Sequence, residues 1–180
     1  VVAQALRMRG KSFPVGRYLP PSPPKNTKDL EQLITSKDPT VRKDAAKFLI
    51  GRKEFKTQLL VLTKDADSEV RKSAVEVLGW NRDSEIYQFL SDTDLDVVVT
   101  ALDGIRHTKI GDGQGIELLL QHPASEIRLS ALQTLVAVFG ELSQKQKTLL
   151  SELCSDPDER IRASALMIFP KKMLRTEASD

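Results

Sequence analysis

The sequence predicts an all-α chain: an α-solenoid of about five helical hairpins, preceded by an extended, basic, proline-rich arm. Three observations carry that prediction. One short sequence neighbourhood recurs five times, around Val41, Val70, Val97, Ile127 and Ile161, a supersecondary-sized period. Each recurrence carries apolar residues at helical rather than strand spacing. Aromatic residues make up only 5% of the 180, against 40% hydrophobic overall, so Leu, Ala and Val dominate. That set favours small-residue helix packing over a β-sandwich.

The recurrence runs Asp38-Pro-Thr-Val41-Arg42 with Ala45, then Asp67-Ser-Glu-Val70-Arg71 with Ala74, then Asp94-Leu-Asp-Val97 with Ala101. It returns as Ser125-Glu-Ile127-Arg128 with Ala131, and last as Asp158-Glu-Arg-Ile161-Arg162 with Ala165. Each copy is counted from its Val or Ile as position 0. Positions −11, −8, −7, 0, +4, +5 and +8 are then apolar in every copy, apart from Thr63 at −7 of the second. Unselected positions in such a composition would supply about fourteen apolar residues among these thirty-five.

The elements follow in chain order. Residues 1–26 form the arm. Residues 1–28 hold six basic residues and no acid, and five of the nine prolines fall there, which leaves 21 basic against 25 acidic residues in the remainder. Prolines at this density deny the backbone helix and central-strand hydrogen bonds, leaving turns and polyproline II over residues 10–26. The first repeat, about 27–51, pairs a stripe of Leu30, Leu33 and Ile34 with one of Val41, Ala45, Ala46 and Leu49. Its second helix starts at an Asp38 cap with Pro39 in the first turn, where a missing N–H costs nothing.

The second repeat, about 53–80, and the third, about 81–107, place Asp67 and Asp94 at the same capping position, as Asp158 does in the fifth. Each such cap stabilises a helix by about 1 kcal/mol. The fourth repeat, about 110–140, begins with Gly111-Asp-Gly-Gln-Gly115, read as a flexible helix start because it lacks the Lys-Ser/Thr of a phosphate loop. The fifth, about 141–170, is stopped by Pro170, and residues 171–180 form a tail. Gly51, Gly79 and Gly140 close three of the second helices, as left-handed C-caps would.

An amphipathic pair of ~12-residue helices cannot bury its apolar face alone, so the hairpins are expected to stack. The alanine at +4 admits close approach of the facing helix. The fifth repeat ends Ala163-Ser-Ala-Leu166-Met167-Ile168-Phe169, nearly all apolar, and so looks like an interior repeat. Its outer edge is expected to be covered by further repeats of a longer chain, which the Val1-Val2 start suggests, or by a partner protein.

The run Leu59-Leu-Val-Leu62…Asp65-Ala-Asp67-Ser-Glu-Val70-Arg71-Lys-Ser-Ala74-Val-Glu-Val-Leu78-Gly79 resembles a HEAT repeat of the short, roughly 30-residue type. Phycobilisome-lyase-like HEAT domains use the same type. The resemblance spans the whole of the predicted solenoid, positions 27–170. It implies that the Asp five residues before position 0 and the Arg just after it hydrogen-bond between neighbouring repeats as a ladder. The second and fifth copies hold both halves, Asp65 with Arg71 and Asp156 with Arg162. Arg42 and Arg128 keep the basic half, with Ser36 and His122 in place of the acid. The third copy keeps Asp92 but has Val98 in place of the arginine.

The residues point to no catalytic site. His107 and His122 read as loop or cap residues without ligand-spaced partners, and Cys154, in an apolar column, reads as a small core residue. The Asp-rich turns lack the Gly and distal Glu of a calcium loop. The expectation is therefore a non-enzymatic scaffold with no cofactor and no metal. The single cysteine excludes an internal disulfide and points to a reducing, intracellular compartment, cytoplasm first. No apolar run approaches the ~18–20 residues that span a bilayer. A nucleic-acid role needs a basic stripe on one face, and the net-acidic body argues against one. Two alternatives to a protein-binding scaffold stand beside it, an auxiliary subunit of a nucleic-acid assembly and a lyase-like HEAT enzyme.

Binding is the function the residues speak to. On helical wheels of the second helices, +2 and +6 point away from the apolar stripe. Lysines and acids there in the first repeats give way to Val99, Leu129, Gln133 and Met167, either a partner-binding patch, on the face that the HEAT resemblance implies is concave, or residues buried by adjacent repeats. In the arm, Arg17, Leu19, Pro20 and Pro23 resemble the basic-x-aliphatic-Pro-x-x-Pro ligand of an SH3 domain. The other reading has Phe13, Tyr18 and Leu19 packing over the first repeat.

Overall fold

The computed structural model describes residues 26–110 and 115–173 together with Pro24, with side chains through Phe169. The arm, with Arg17, Leu19, Pro20 and Pro23, lies outside the described residues, as do residues 111–114. Among the described residues every regular element is helical and there is no strand. They fall into two compact halves that meet in the chain between Asn81 and Arg82, at the boundary between the second and third repeats.

The first half holds α1 (Thr27–Ile34), α2 (Pro39–Lys47), α3 (Lys56–Leu62) and α4 (Ser68–Trp80), with a 3₁₀ turn at Lys53–Phe55 leading into α3. Helix α2 packs along α4, with α1 against α2 and α3 against α4. The second half holds a 3₁₀ helix (Ser84–Ser91), α5 (Leu95–Thr108), α6 (Ile116–Leu119), α7 (Ser125–Val138), α8 (Gln144–Leu153) and α9 (Glu159–Met173). Here α5 packs along α7 and against the 3₁₀ helix, and α9 packs against both α7 and α8.

The alanine column makes the closest contacts. Ala45, Ala74, Ala101, Ala131 and Ala165 are all completely buried, because a methyl group is the largest side chain that lets the facing backbones approach so closely. Thr63, the polar member of the apolar columns, is also buried, and its Oγ1 donates to the Leu60 carbonyl at 2.9 Å. Ala101→Leu forces three carbons into the α5–α7 packing and should cost about 1–3 kcal/mol. Gln133→Leu, at an exposed position of α7, should stay within about 0.5 kcal/mol of wild type. Urea midpoints of the two variants check the register, and equal losses would overturn it.

Every repeat enters its second helix through one turn. Five residues before position 0, a side-chain acceptor takes the N–H two residues on. Ser36 Oγ accepts from Asp38 at 3.2 Å, Asp65 Oδ1 from Asp67 at 2.9 Å, and Asp92 Oδ1 from Asp94 at 2.8 Å. His122 Nδ1 accepts from Ala124 at 3.1 Å, and Asp156 Oδ1 from Asp158 at 2.8 Å. The acceptor role leaves His122 Nδ1 without its proton. Asp38, Asp67, Asp94 and Asp158 then cap the helix by accepting the N–H of the second residue after them, at 2.8 to 2.9 Å. Ser143 and Gln146 add a reciprocal capping box at α8, which the Ser-x-x-Gln spacing signals.

Four expectations need correction. The first helices are shorter than expected, since α3 has 7 residues and α6 only 4; the apolar stripe of a first helix covers positions −11 to −7 and anchors little more than one turn. The first helix of the third repeat is a 3₁₀ helix. The step from Val70 to Val97 is the shortest between successive copies, and a 3₁₀ helix spans more length per residue than an α-helix.

Of the three glycines expected as left-handed caps, only Gly51 has that conformation, at φ 75°. Gly79 lies buried inside α4. The end of α4 is instead held by Asn81, whose Nδ2 donates to the Leu49 carbonyl at 3.1 Å while its Oδ1 accepts from Gly51 N at 2.6 Å. Gly140 does not take up positive φ, and the left-handed residues after α4 and α5 are Arg82 and Lys109. Finally, α9 runs through Pro170 to Met173, because proline removes one donor but its φ of about −65° is helical.

The glycine correction is testable. No atom lies within 4 Å of a Cβ built at Gly51 or at Gly140, so only backbone strain distinguishes them. Gly51→Ala should therefore destabilise by about 1 kcal/mol, and Gly140→Ala by none. Urea denaturation of both variants checks this, and equal effects would contradict the conformations assigned.

Candidate functional site

Two junctions between repeats, the first with the second and the fourth with the fifth, are built on arginine. Arg42 of the first repeat reaches the carboxylate of the second, with Nε 2.6 Å from Asp65 Oδ2 and Nη2 2.8 Å from Oδ1. Its Nη1 donates backwards to the carbonyls of Ser36 and Lys37, at 2.8 and 3.2 Å. Arg128 does the same in the second half. Nε and Nη2 each lie 2.8 Å from an Asp156 oxygen, and Nη1 donates to the carbonyls of His122 and Pro123 at 2.8 and 2.9 Å. One planar fork thus closes its own loop and clamps the next one.

The pair Arg128–Asp156 is enclosed, with side chains 11% and 4% exposed. Arg42–Asp65 is slightly more open at 17% and 9%. Hydrogen bonding to arginine is the largest influence on both carboxyls and holds them below the usual carboxylate range, against the opposing effect of burial. The aspartate therefore stays ionised and paired.

The sequence motif places Asp and Arg in one copy, but the hydrogen bonds that join them within a copy run from the guanidinium to backbone carbonyls. Arg71 Nη1 donates to the carbonyls of Asp65 and Ala66, and Arg162 Nη1 to those of Asp156 and Pro157. The carboxylate partner belongs to the following copy. Val98 and His122 hold the two corresponding positions of the third and fourth repeats, so arginine and acid are missing there together. Val98 is buried, and no charge is left stranded by the double change.

The polar face of the second helices is laced with ion pairs. Lys43 lies 2.8 Å and Lys72 3.6 Å from the Glu69 carboxylate, which their hydrogen bonds and charge hold below its usual range. Lys47 pairs with Asp44 at 2.7 Å. Arg106 bridges Asp103 and the exposed Gln133. Val99 and Leu129 are half-buried, so the apolar stripe read from the helical wheel does not lie open across the third and fourth repeats.

The fifth repeat is different. Met167 is 68% exposed, and Leu166 beside it is 58% exposed. At the same +5 position, Ala46, Val75, Leu102 and Leu132 are completely buried. An apolar edge on α9 is therefore left open. Helical periodicity marks Leu166 as a core residue and cannot by itself show that nothing packs on it.

The nucleophilic and imidazole groups serve helix ends. His107 Nδ1 lies 2.7 Å from the Asp103 carbonyl, which can only accept, so this nitrogen carries the proton. Cys154 is half-buried with its Sγ 3.6 Å from the Leu150 carbonyl, and burial pushes its thiol pKa up. A raised thiol is a poorer nucleophile. Among the described residues no group of three or more His, Cys, Asp or Glu could hold a metal ion, and no helix is long and apolar enough to cross a membrane.

No family model matches the chain, and no curated protein matches it. Among solved structures, the chain is similar to an engineered protein whose crystal structure was determined by the Northeast Structural Genomics Consortium. The two align with a TM-score of 0.55 over 81% of this chain and 78% of that one, at 19% identity. At that identity the likeness is one of helical fold alone.

Proposed function

We propose that this chain is a HEAT-type α-solenoid scaffold whose work is to bind other proteins rather than to transform a substrate. The observation that carries the reading is the open edge of α9. Leu166 stands exposed at the +5 position, which is completely buried in the four other repeats, with Met167 exposed beside it, and contiguous exposed apolar surface marks a place for a partner. The stacked, arginine-clamped repeats support this reading, since such a framework holds a surface rigid while its stability is spread over neighbouring junctions. The test is site-specific photo-crosslinking in a cell extract, with the reactive group placed at Met167 or at the exposed Glu76 of α4. Defined protein adducts from Met167, lost on Leu166→Lys and absent from Glu76, are expected. Equal, diffuse labelling from both positions would defeat the proposal.

A further inference from the structure

We propose that the basic arm docks on the flank of α2 that turns away from α4, with Arg17 on the Asp44 carboxylate and with Tyr18 and Leu19 against Val41 and Phe48. The sequence allows the arm either to pack on the first repeat or to lie open as an SH3-type ligand. The chemistry of α2 favours packing.

Positions 0, +3 and +7 share one flank of each second helix, and that flank faces the copy before it. Where two second helices pack side by side, α4 on α2 and α7 on α5, it is sealed. Val70, Ile127 and Thr134 are completely buried there, and Val77 is 1% exposed. Hydroxyls on this flank donate to the earlier helix. Ser73 Oγ, at +3, lies 3.1 Å from the Lys43 carbonyl, and Thr134 Oγ1, at +7, lies 3.2 Å from the Leu102 carbonyl. In the first repeat the same flank carries Val41, Asp44 and Phe48. Val41 and Phe48 are only half-buried, which leaves apolar surface for a neighbour.

Asp44 indicates what kind of neighbour. In the other copies the +3 residue is Ser73, Thr100, Ser130 and Ser164, a hydroxyl each time. A hydroxyl can donate to the carbonyls that an earlier second helix presents, whereas a carboxylate only accepts. Another repeat of this kind, packed on α2, would set carbonyl oxygen against carboxylate. Asp44 is buried, and Lys47, one turn on, donates to its Oδ1 at 2.7 Å. Among the described residues no hydrogen bond reaches its Oδ2. The flank therefore calls for a segment that brings a cation together with apolar side chains.

The arm is such a segment, and it is tethered beside this flank. Residues 1–28 hold six basic residues and no acid, and Arg17 is followed directly by Tyr18 and Leu19. The chain enters α1 at its Asn26 cap, nine residues after Arg17. Nine residues reach at most about 30 Å, whereas the 8 of α1 rise only about 12 Å. Arg17 can therefore pass α1 and arrive on α2, against which α1 packs. A tether this short supplies an effective concentration on the order of millimolar, so a small contact area suffices. Docking occupies Arg17 and Leu19, so a docked arm cannot also present the SH3-type pattern.

The experiment places photoreactive benzoylphenylalanine at Phe48 of the full chain, where its ring resembles the one it replaces. Irradiation at low micromolar concentration should give adducts within one chain, to residues 13–20, in a yield independent of protein concentration. Asp44→Ser, which installs the residue of three other copies, should lower that yield about fivefold. Arg17→Gln should do the same, and the two together should do no more than either alone. The same reactive group at Val61, exposed on α3, should give no such adducts. No adducts to the arm, or equal adducts from Phe48 and Val61, would overturn the docking. Adducts unchanged by both substitutions would overturn the pairing of Arg17 with Asp44. A yield that rises with protein concentration would overturn docking within one chain and make the arm of a second copy the occupant. If Asp44→Ser lowers helicity, Arg17→Gln, which leaves α2 untouched, decides the matter alone.

Discussion

Asp156→Ala should destabilise the chain by about 3–5 kcal/mol, since removing one member of an enclosed ion pair leaves the other buried and unmatched. The side chains of Arg128 and Asp156 are 11% and 4% exposed, so water cannot take over the lost role cheaply. The aspartate also accepts the N–H of Asp158 at 2.8 Å, and alanine removes that bond as well. For a chain of this size the loss corresponds to a fall in Tm on the order of 10 °C. Thermal and urea unfolding of Asp156→Ala, Arg128→Ala and the double variant measure it. The double variant should be clearly more stable than the sum of the single effects predicts, because it strands no charge. Strict additivity would show that the two groups do not act as a pair.

The same junctions contribute to the acid response. Arg128 and Arg42 hold Asp156 and Asp65 below the ordinary carboxylate range, whereas the unfolded chain titrates them near 3.9. Their contribution is therefore complete above about pH 5 and is lost as pH falls below the unfolded value and through the folded one. Asp156→Asn has no such carboxylate to protonate. The stability gap between wild type and this variant should narrow steadily from pH 5 to pH 2.5. A gap that stays constant over that range would exclude the ion pair as its source.

Leu132→Ala should cost about 2–5 kcal/mol, the range for emptying a fully buried leucine site, while Leu166→Ala should be close to neutral. The two residues hold the same +5 position, and only their surroundings differ: Leu132 is completely buried and Leu166 is 58% exposed. Urea midpoints at neutral pH give both values. A loss at Leu166 comparable to that at Leu132 would mean that the edge of α9 is covered, which would remove the main support for a partner there.

Much of the local structure was legible from residue spacing. The +4 alanines, buried in all five repeats, follow from a column visible in the sequence. The aspartate caps follow from their place just before each apolar stripe. Both depend on residues within a turn or two of one another. The helix ends were less legible. Asn81 holds α4 through Leu49 and Gly51, a full repeat earlier in the chain, so a glycine near the end of the apolar run did not mark the stop. The 3₁₀ form of Ser84–Ser91 was equally hidden, because Ile86 and Phe89 suit either helix and the choice rests on the length to be spanned.

What the sequence by itself determined is the register: five copies, which positions turn inward, and how each second helix begins. These are short-range matters of periodicity and of hydrogen bonds between near neighbours. The family resemblance implied bonding between neighbouring copies, but only the tertiary structure decided which residues pair. Arg42 and Arg128 find their carboxylates 23 and 28 residues away, although the motif places an aspartate six residues before Arg71 and Arg162. Leu132 and Leu166 share one place in the pattern, and only one of them has a helix laid over it. A charge or an apolar face is written into its own repeat, but whether it is satisfied depends on which neighbour packs against it.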